Sequence, residues 1–333
     1  MTGMDVAGHL PPATTGLRRF EPSRDLQAVI ALLQAGFGSD LEERDRRWLA
    51  DLDRLSGAGP LLGWAIKMMP AAENVFSGYV WVEDGRVVAN ASLMRATAHV
   101  WTIANVVTEP EYRRRGIARH LVQAAIEAAR ARGARQVQLQ VRLDNHSAKA
   151  LYRQLGFHRL FSTTTWRLSS AAEAALSVPA PEPPAGWATK RWTRHSRWWV
   201  ESVLARAGEV EGPPPGPVRQ AMTRHGWRGM LGDRLRGVYR YPWAVVTDGG
   251  YAAVAAATAQ SMAGPHTLEV LVEPRWRGRV EETLLACLLA DLRQQADFEV
   301  DADVRDDEMG MTAAVSAAGF KPLRTLERMA RPL

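Results

Sequence analysis

The sequence predicts an α/β chain of mixed helices and mixed sheet, arranged as two similar domains in tandem. Three observations carry this. Residues Trp101 to Phe157 read as strand, basic turn, helix, strand and helix, with the apolar period switching between two and 3.6. An Asp-Gly pair inside an apolar hairpin pattern precedes that series. The same landmarks then recur at matching intervals in the second half.

In chain order, residues 1–16 (MTGMDVAGHLPPATTG) carry neither a basic n-region nor an apolar h-region and are expected to be a flexible tail. Leu17 to Phe20 is expected as the first strand of a domain spanning 17–168. A helix starts at Ser23-Arg24-Asp25, with Leu26, Val29, Ile30 and Leu33 inward, and Gly36 to Asp40 is expected to break it. A charged helix follows from about Leu41 to Leu55. Trp64, Met68, Met69 and Phe76 are candidates to line a pocket, although core and interface packing explains any one of them better. Tyr79–Val82 and Val87–Ala89 form a hairpin around Glu83-Asp84-Gly85-Arg86. The strand from Trp101 to Thr108 ends at Glu109-Pro110, where proline removes a ladder donor.

Arg113-Arg114-Arg115-Gly116-Ile117-Ala118-Arg119 then leads into a helix with Ile117, Leu121, Val122, Ala125, Ile126 and Ala129 on one face. A basic turn feeding a helix N-terminus offers unpaired N–H groups and the positive end of the helix dipole, a site suited to phosphate. Gly116 allows an anion to approach the backbone where a Cβ would intrude. Gln136 to Arg142 alternates as a strand. Asp144-Asn145 caps the next helix, whose apolar face holds Ala148, Leu151, Tyr152 and Leu155 and which Gly156 terminates. The segments to Leu160 and from Thr163 to Leu168 are expected as two closing strands. Residues 169–186 are Ala- and Pro-rich without an apolar period and read as a linker.

Residues 187–333 read as a worn copy of the first domain. Gly85 precedes Pro110 by 25 positions, as Gly249 precedes Pro274, and Glu-Pro recurs at both places. Pro110 lies 46 positions before Gly156, and Pro274 lies 45 before Gly319. The copy departs where chemistry is expected. Gly278 comes four residues after Pro274, against six for Gly116 after Pro110, so the turn reads as shortened. Glu281 and Glu282 fall in the first turn of the following helix, where they would repel an anion. Val315 stands at the position of Tyr152, and Glu308 at that of Asn145. The second domain is therefore read as a degenerate copy, binding-competent but non-catalytic.

The motifs of the first half resemble the acyl-CoA-dependent N-acetyltransferases of the GNAT superfamily. The pyrophosphate loop Gln/Arg-x-x-Gly-x-Gly/Ala is matched by Arg113, Gly116 and Ala118. The later signature Asn-x-x-Ala-x-x-Leu-Tyr-x-x-x-Gly-Phe is matched by Asn145, Ala148, Leu151, Tyr152, Gly156 and Phe157. The motif region is most similar to enzymes that acetylate the N-terminal alanine of a ribosomal protein, and the tandem layout to the mycothiol synthases. In the latter the C-terminal domain is the active one, whereas here the intact motifs are N-terminal.

The resemblance implies two GNAT-like domains in tandem and transfer of an acetyl group from acetyl-CoA, as co-substrate, to a small-molecule or peptide amine. It implies that the main chain of Val106, Val107 and Thr108 pairs with the pantetheine arm, with Val107 N–H at the thioester oxygen beside a strand bulge. Backbone N–H groups from Arg114 to Arg119 hold the pyrophosphate, and Asn145 with Ala148 the pantetheine side. Tyr152 is the general acid toward the leaving sulfur. Glutamate serves as base in the ribosomal-protein enzymes where this chain has Gln140, an amide with no useful basic site. Glu83, His99 and Glu42 remain candidate bases. Lost catalysis, leaving a CoA-binding regulatory or scaffold protein, is the alternative.

Composition bounds the rest. The 333 residues are 46% apolar and 23% charged, as in ordinary globular domains. No apolar run approaches the roughly 20 residues that span a bilayer. The single cysteine, Cys287, leaves no intramolecular disulfide and no cysteine-cluster metal site, so a cytoplasmic protein without a metal is expected. The net charge of +6 rests on arginines spread along both halves, with only Lys67, Lys149, Lys190 and Lys321 as lysines. With no aromatic-interleaved basic motif, a nucleic-acid partner is not expected. A homodimer is compatible with this composition.

Overall fold

The computed structural model describes residues 15–38, 50, 77–174, 185–207, 216–223, 227–262 and 264–333. The helix expected from Leu41 to Leu55, the candidate base Glu42, the pocket candidates Trp64 to Phe76 and most of the N-terminal tail lie outside the described residues. No helix among those described is long and apolar enough to cross a membrane.

The chain divides into two compact units. The first holds residues up to Leu139, Leu151–Phe157 and Ala330–Leu333; the second holds Gln140–Ala150 and His158–Met329.

In the first unit the strand order is β1 (Gly16–Arg19), β2 (Gly78–Glu83), β3 (Arg86–Arg95), β4 (Val100–Thr108) and β5 (Gln136–Arg142, which the division cuts after Leu139). β1 to β4 are antiparallel and β4 to β5 parallel. Asp84 and Gly85 both have positive φ, the two-residue turn whose twist suits a hairpin. Helix α1 (Pro22–Phe37) covers one face. Its Leu26, Val29, Ile30 and Leu33 meet Val80, Val82, Val87 and Val107. Asp25, fully buried in its first turn, takes a forked pair from Arg18 of β1 at 2.5 and 2.6 Å and the N–H of Glu21. The helix ends at Phe37, within the break expected from Gly36 to Asp40. A Cβ on Gly36 would run into the Val107 side chain, so glycine lets α1 sit close on β4.

Helix α2 (Ile117–Ala131) covers the other face and buries the six residues its period predicts. Ile117 and Leu121 pack on Ala89 and Ala91, flanked by Tyr79 and Trp81. Helix α3 (His146–Gln154) ends in this unit. Gly156 at φ +83 lets Phe157 N–H reach back to the Tyr152 carbonyl at 3.0 Å, the left-handed helix stop that the sequence predicts. The chain's last residues complete the unit: Leu333 N–H bonds the Arg135 carbonyl at 2.9 Å, and Arg331 bonds that of Leu155 at 2.7 Å.

The second unit contains β6 (His158–Leu168), α4 (Ala171–Ala174), β7 (Ala188–Lys190), α5 (Arg197–Ala207), α6 (Pro217–Thr223) and α7 (Trp227–Leu235). These are followed by β8 (Val238–Thr247), β9 (Gly250–Gln260), β10 (His266–Val272), α8 (Glu281–Leu292), β11 (Val300–Arg305), α9 (Met309–Ala317) and β12 (Lys321–Pro332). Its strand order is β12-β6-β11-β10-β9-β8-β7. β9 is mostly buried and six of its eleven residues are alanine, and small side chains on both faces let two helix layers close on it. α8 and α9 pack on one face; α5 and α6 pack on the other.

Two expectations change here. The stretch from His158 to Leu168 is one strand, where two were expected, and it pairs antiparallel with β11 from Thr163 to Leu168. The paired strands are tied by a forked Arg167–Asp301 contact, both bonds at 2.7 Å. Ala171, at the start of the expected linker, is buried in the second unit's core.

The repeat is visible element by element. A constant offset of 164 residues separates Pro110 from Pro274, Ile117 from Glu281 and Gln136 from Val300, which open matching elements. The copy's turn is thus not shortened, because in both halves the helix begins seven residues after the proline. Gly278, at φ +79, matches Arg114, at φ +66, and Val280 takes the place of Gly116.

Within the second unit Lys149 and Glu327 form a buried ion pair at 2.9 Å. Removing one partner strands the other charge away from water. Lys149→Ala is expected to cost roughly 3–5 kcal/mol, read as a lowered midpoint in chemical denaturation.

Candidate functional site

The first unit's site is built on the edge of β4. Its ladder with β3 shifts register between Asn90 and Ser92: Asn90 pairs with Val107 and Ser92 with Ala104, so one extra residue bulges from β4. Asn105 sits in the bulge at φ +54, a conformation asparagine tolerates better than most residues. The buried Asn90 amide holds it by donating to the Asn105 carbonyl at 2.9 Å, while Asn105 Nδ2 donates to Ser92 Oγ at 3.2 Å. Pairing of β4 with β5 runs only from Val100 to Thr102, before the bulge.

This register fixes which main-chain groups face away from β3. Glu109 N–H bonds the Val88 carbonyl at 2.9 Å. Bonded and non-bonded pairs alternate, so Val107 exchanges its N–H and C=O with Asn90. Planar trans peptides then point the N–H groups of Val106 and Thr108 to the other side, because the Asn105 and Val107 carbonyls face β3. Val107 N–H, expected at the thioester oxygen, is instead part of the ladder, and its side chain is buried against α1. Val106 and Thr108 leave their N–H groups outside the β3 ladder. The Thr108 carbonyl also takes a hydrogen bond from Arg113 Nε at 3.1 Å.

The turn that follows, residues 113–116, leads into α2. Arg114 and Gly116 both have positive φ, and residues 113–116 are exposed. A Cβ on Gly116 would come no nearer than 3.7 Å to its surroundings, so the glycine is required by its φ of +78, not by crowding. No side chain caps α2, and its first turn carries no acid, so the N–H groups of Ile117, Ala118 and Arg119 keep their field. Neighbouring guanidinium groups are anchored. Arg115 lies over the Tyr112 ring at 4.9 Å and bonds the Glu111 carbonyl, and Arg119 bonds the Gln154 side chain of α3. His120 tilts against Trp81, ring centroids 5.6 Å apart, with Nδ1 3.0 Å from the Gly116 carbonyl oxygen. Sequence reasoning missed Asn90, Ser92, Asn105 and Gln154, since nothing in composition or period separates them from ordinary strand and helix positions.

Tyr152 is buried on α3, its ring edge-on to Phe157 at 6.0 Å. Burial pushes its phenol up to about 12. On the same helix, within the second unit, Asn145 accepts the Ala148 N–H at 3.1 Å and the Ser147 hydroxyl at 3.0 Å, acting as the expected cap. Ala148 is half-buried there.

The candidate bases separate by position. His99 is exposed just before β4, seven residues from Val106 and therefore roughly 23 Å away along a strand. It is too far to serve the bulge. Glu83 ends β2 at the hairpin, two strands and roughly 10 Å across from β4, with its carboxylate accepting the Trp81 indole N–H at 2.9 Å. Gln140 is exposed, in the second unit.

Asn90→Ala is expected to destabilise the protein by about 0.5–1.5 kcal/mol, the net worth of one hydrogen bond to a part-buried carbonyl, and denaturation measures it. Asn90→Asp, which cannot donate when ionised, is expected to be at least as costly.

Residues 42–157 match the family model described as Acetyltransferase (GNAT) family. The mycothiol acetyltransferase of Thermobispora bispora is 32% identical over 148 residues, 44% of this chain and 48% of that protein. The [ribosomal protein bS18]-alanine N-acetyltransferase of Escherichia coli is 27% identical over 121 residues, 36% of this chain and 79% of that one. The chain spans about half or less of the length of the curated relatives it matches above 30% identity. Among solved structures, a GCN5-related N-acetyltransferase from Sphaerobacter thermophilus aligns over 97% of both chains, with a TM-score of 0.65 at 20% identity. Residues 42–157 are therefore a GNAT acetyltransferase domain, carried in a chain whose two units share the GNAT fold.

Proposed function

We propose that the first unit transfers an acetyl group from acetyl-CoA to an amine acceptor. The observation that carries this reading is the bulged β4 edge, where Val106 and Thr108 offer main-chain groups beside an uncapped, acid-free helix N-terminus. Such an edge holds an extended amide-bearing arm as an added strand would be held, while the turn takes the pyrophosphate. The residues fit an acyl-CoA: the exposed arginines match its phosphates in charge, and Gly116 keeps the approach open.

In this reading the acceptor nitrogen attacks the thioester carbon directly. The C–N bond forms, the carbonyl oxygen gains charge, and collapse breaks the C–S bond with its electron pair on sulfur. Val106 or Thr108 N–H stabilises the oxyanion, a role that moves from Val107 because of the register. Tyr152 donates to the departing sulfur. A phenol near 12 is a weaker acid than a thiol near 8.5, so this donation steadies the thiolate as a hydrogen bond and full proton transfer is uphill. The nitrogen's proton leaves through Glu83 or through water. A small amine or a peptide N-terminus both suit the site, and Gln140 weighs against the ribosomal-protein acceptor because the base expected there is missing.

Thiol release from acetyl-CoA, measured across a panel of small amines and peptide N-termini, tests the reading. Turnover with at least one amine is expected. CoA binding without turnover on any amine would instead make the chain a CoA-responsive regulator. Tyr152→Phe is expected to keep CoA affinity and lose turnover by 10-fold or more, and unchanged turnover would remove Tyr152 from the mechanism.

The pH response follows from the direction of the shift. With its folded value raised from 10.0 to about 12, the buried phenol favours stability fully below pH 10, and that contribution is lost as pH rises through 12. The donor therefore stays protonated throughout the working range. The kcat profile is expected to show no falling limb from Tyr152 below pH 10, and a limb abolished by Tyr152→Phe at lower pH would contradict this.

A further inference from the structure

The turn of the second unit is of full length, and its chain geometry still forms a cradle. Its N–H groups are not empty. Glu281, the first residue of α8, is buried with 4% of its surface exposed, and its carboxylate folds back over the turn. Oε1 accepts the Gly278 N–H at 2.7 Å and Oε2 accepts the Val280 N–H at 3.1 Å. By the constant offset these are the counterparts of Arg114 and Gly116, whose N–H groups face the anion in the reading above. The place of Glu281 is held in the first unit by Ile117, which cannot accept a hydrogen bond.

Two further observations close the same slot. Gly310, in the first turn of α9, lies so near that a Cβ there would be 2.6 Å from Glu281 Oε1 and 2.8 Å from Gly278 N. Helix α9 thus rests directly on the filled turn. The ladder of β9 with β10 runs from Thr258–Thr267 to Ala253–Val272 without a register shift, so the bulge found in β4 has no counterpart. Each feature that opens a donor edge in the first unit is closed in the second.

We propose that Glu281 is the permanent internal anion of the second unit, a carboxylate standing where a phosphate would, so that the chain takes one acyl-CoA. The count of one rests on the reading of the first unit; the filling of the second turn does not. Sequence reasoning had Glu281 repelling an anion. The geometry makes it a substitute for one, which stabilises a turn whose amides would otherwise be unpaired.

The full chain labelled with 15N-glycine separates the two units, because Gly116 and Gly278 report individually. On titration with CoA, the Gly116 amide is expected to shift and that of Gly278 to stay fixed. Movement of Gly278 on CoA addition would overturn the proposal. A fixed Gly116 would sink the donor-site reading of the first unit and leave the Gly278 result standing. In Glu281→Ala, inorganic phosphate is expected to shift the Gly278 amide, which does not respond in the parent chain. No response in the folded variant would overturn the proposal. Should Glu281→Ala fail to fold, Glu281→Gln removes the charge with little change in volume. Its Gly278 amide is expected upfield of the parent's, and an unchanged position would count against the carboxylate.

Discussion

The hydrogen bond from the Asn90 side-chain amide to the Asn105 carbonyl sets the rest of the site. A strand edge presents alternate main-chain groups, and a one-residue slip reverses which of them point outward. By holding Asn105 at positive φ, this bond places one extra residue in β4 and gives Val106 and Thr108 the outward positions. The donor, Asn90, is buried, and Ser92 ties Asn105 from the same strand as Asn90. In the proposed reaction, the geometry at the thioester follows from a ladder defect and not from any charged residue.

The second requirement is electrostatic and equally local. A helix N-terminus attracts whatever negative charge reaches it first. In the first unit nothing in the sequence of α2 competes, because Ile117 occupies the first helical position and the acids lie elsewhere. In the second unit Glu281 at the matching position reaches the same amides from within the chain. Glu281 pairs the second turn's amides within the chain, while the matching amides of the first turn meet no acid from α2. The two units thus share a fold and differ in whether that fold keeps an open edge. The chain also interleaves them: β6, which follows the motifs of the first half, is a strand of the second unit, and the last four residues complete the first.

Much of this was legible in the sequence. The six-residue apolar face of α2, the helix stop at Gly156 and the Asp-Gly hairpin follow from period and turn chemistry, which are local properties. The repeat was legible because proline and glycine landmarks are spaced by the fold itself. What failed was non-local. That Gly36 also serves close packing shows only once α1 is seen against Val107. The copy's turn reads as shortened when glycines are aligned, because Gly278 serves the place of Arg114 and not that of Gly116. The resemblance implies Val107 N–H beside the bulge, whereas the register there, held by Asn90, fifteen residues before Asn105 and unmarked by any pattern, turns the N–H groups of Val106 and Thr108 outward.

The central claim is that the β4 edge, with Val106 and Thr108 facing outward and Val107 locked to β3, receives the acyl-CoA arm. Amide hydrogen exchange resolved to single residues, with and without acetyl-CoA, tests this most directly. The expected result is slow exchange at Val107 in both states, with Val106 and Thr108 becoming protected only when acetyl-CoA is present. Protection gained at Val107 alone, or no change at Val106 and Thr108 under saturating acetyl-CoA, would contradict it.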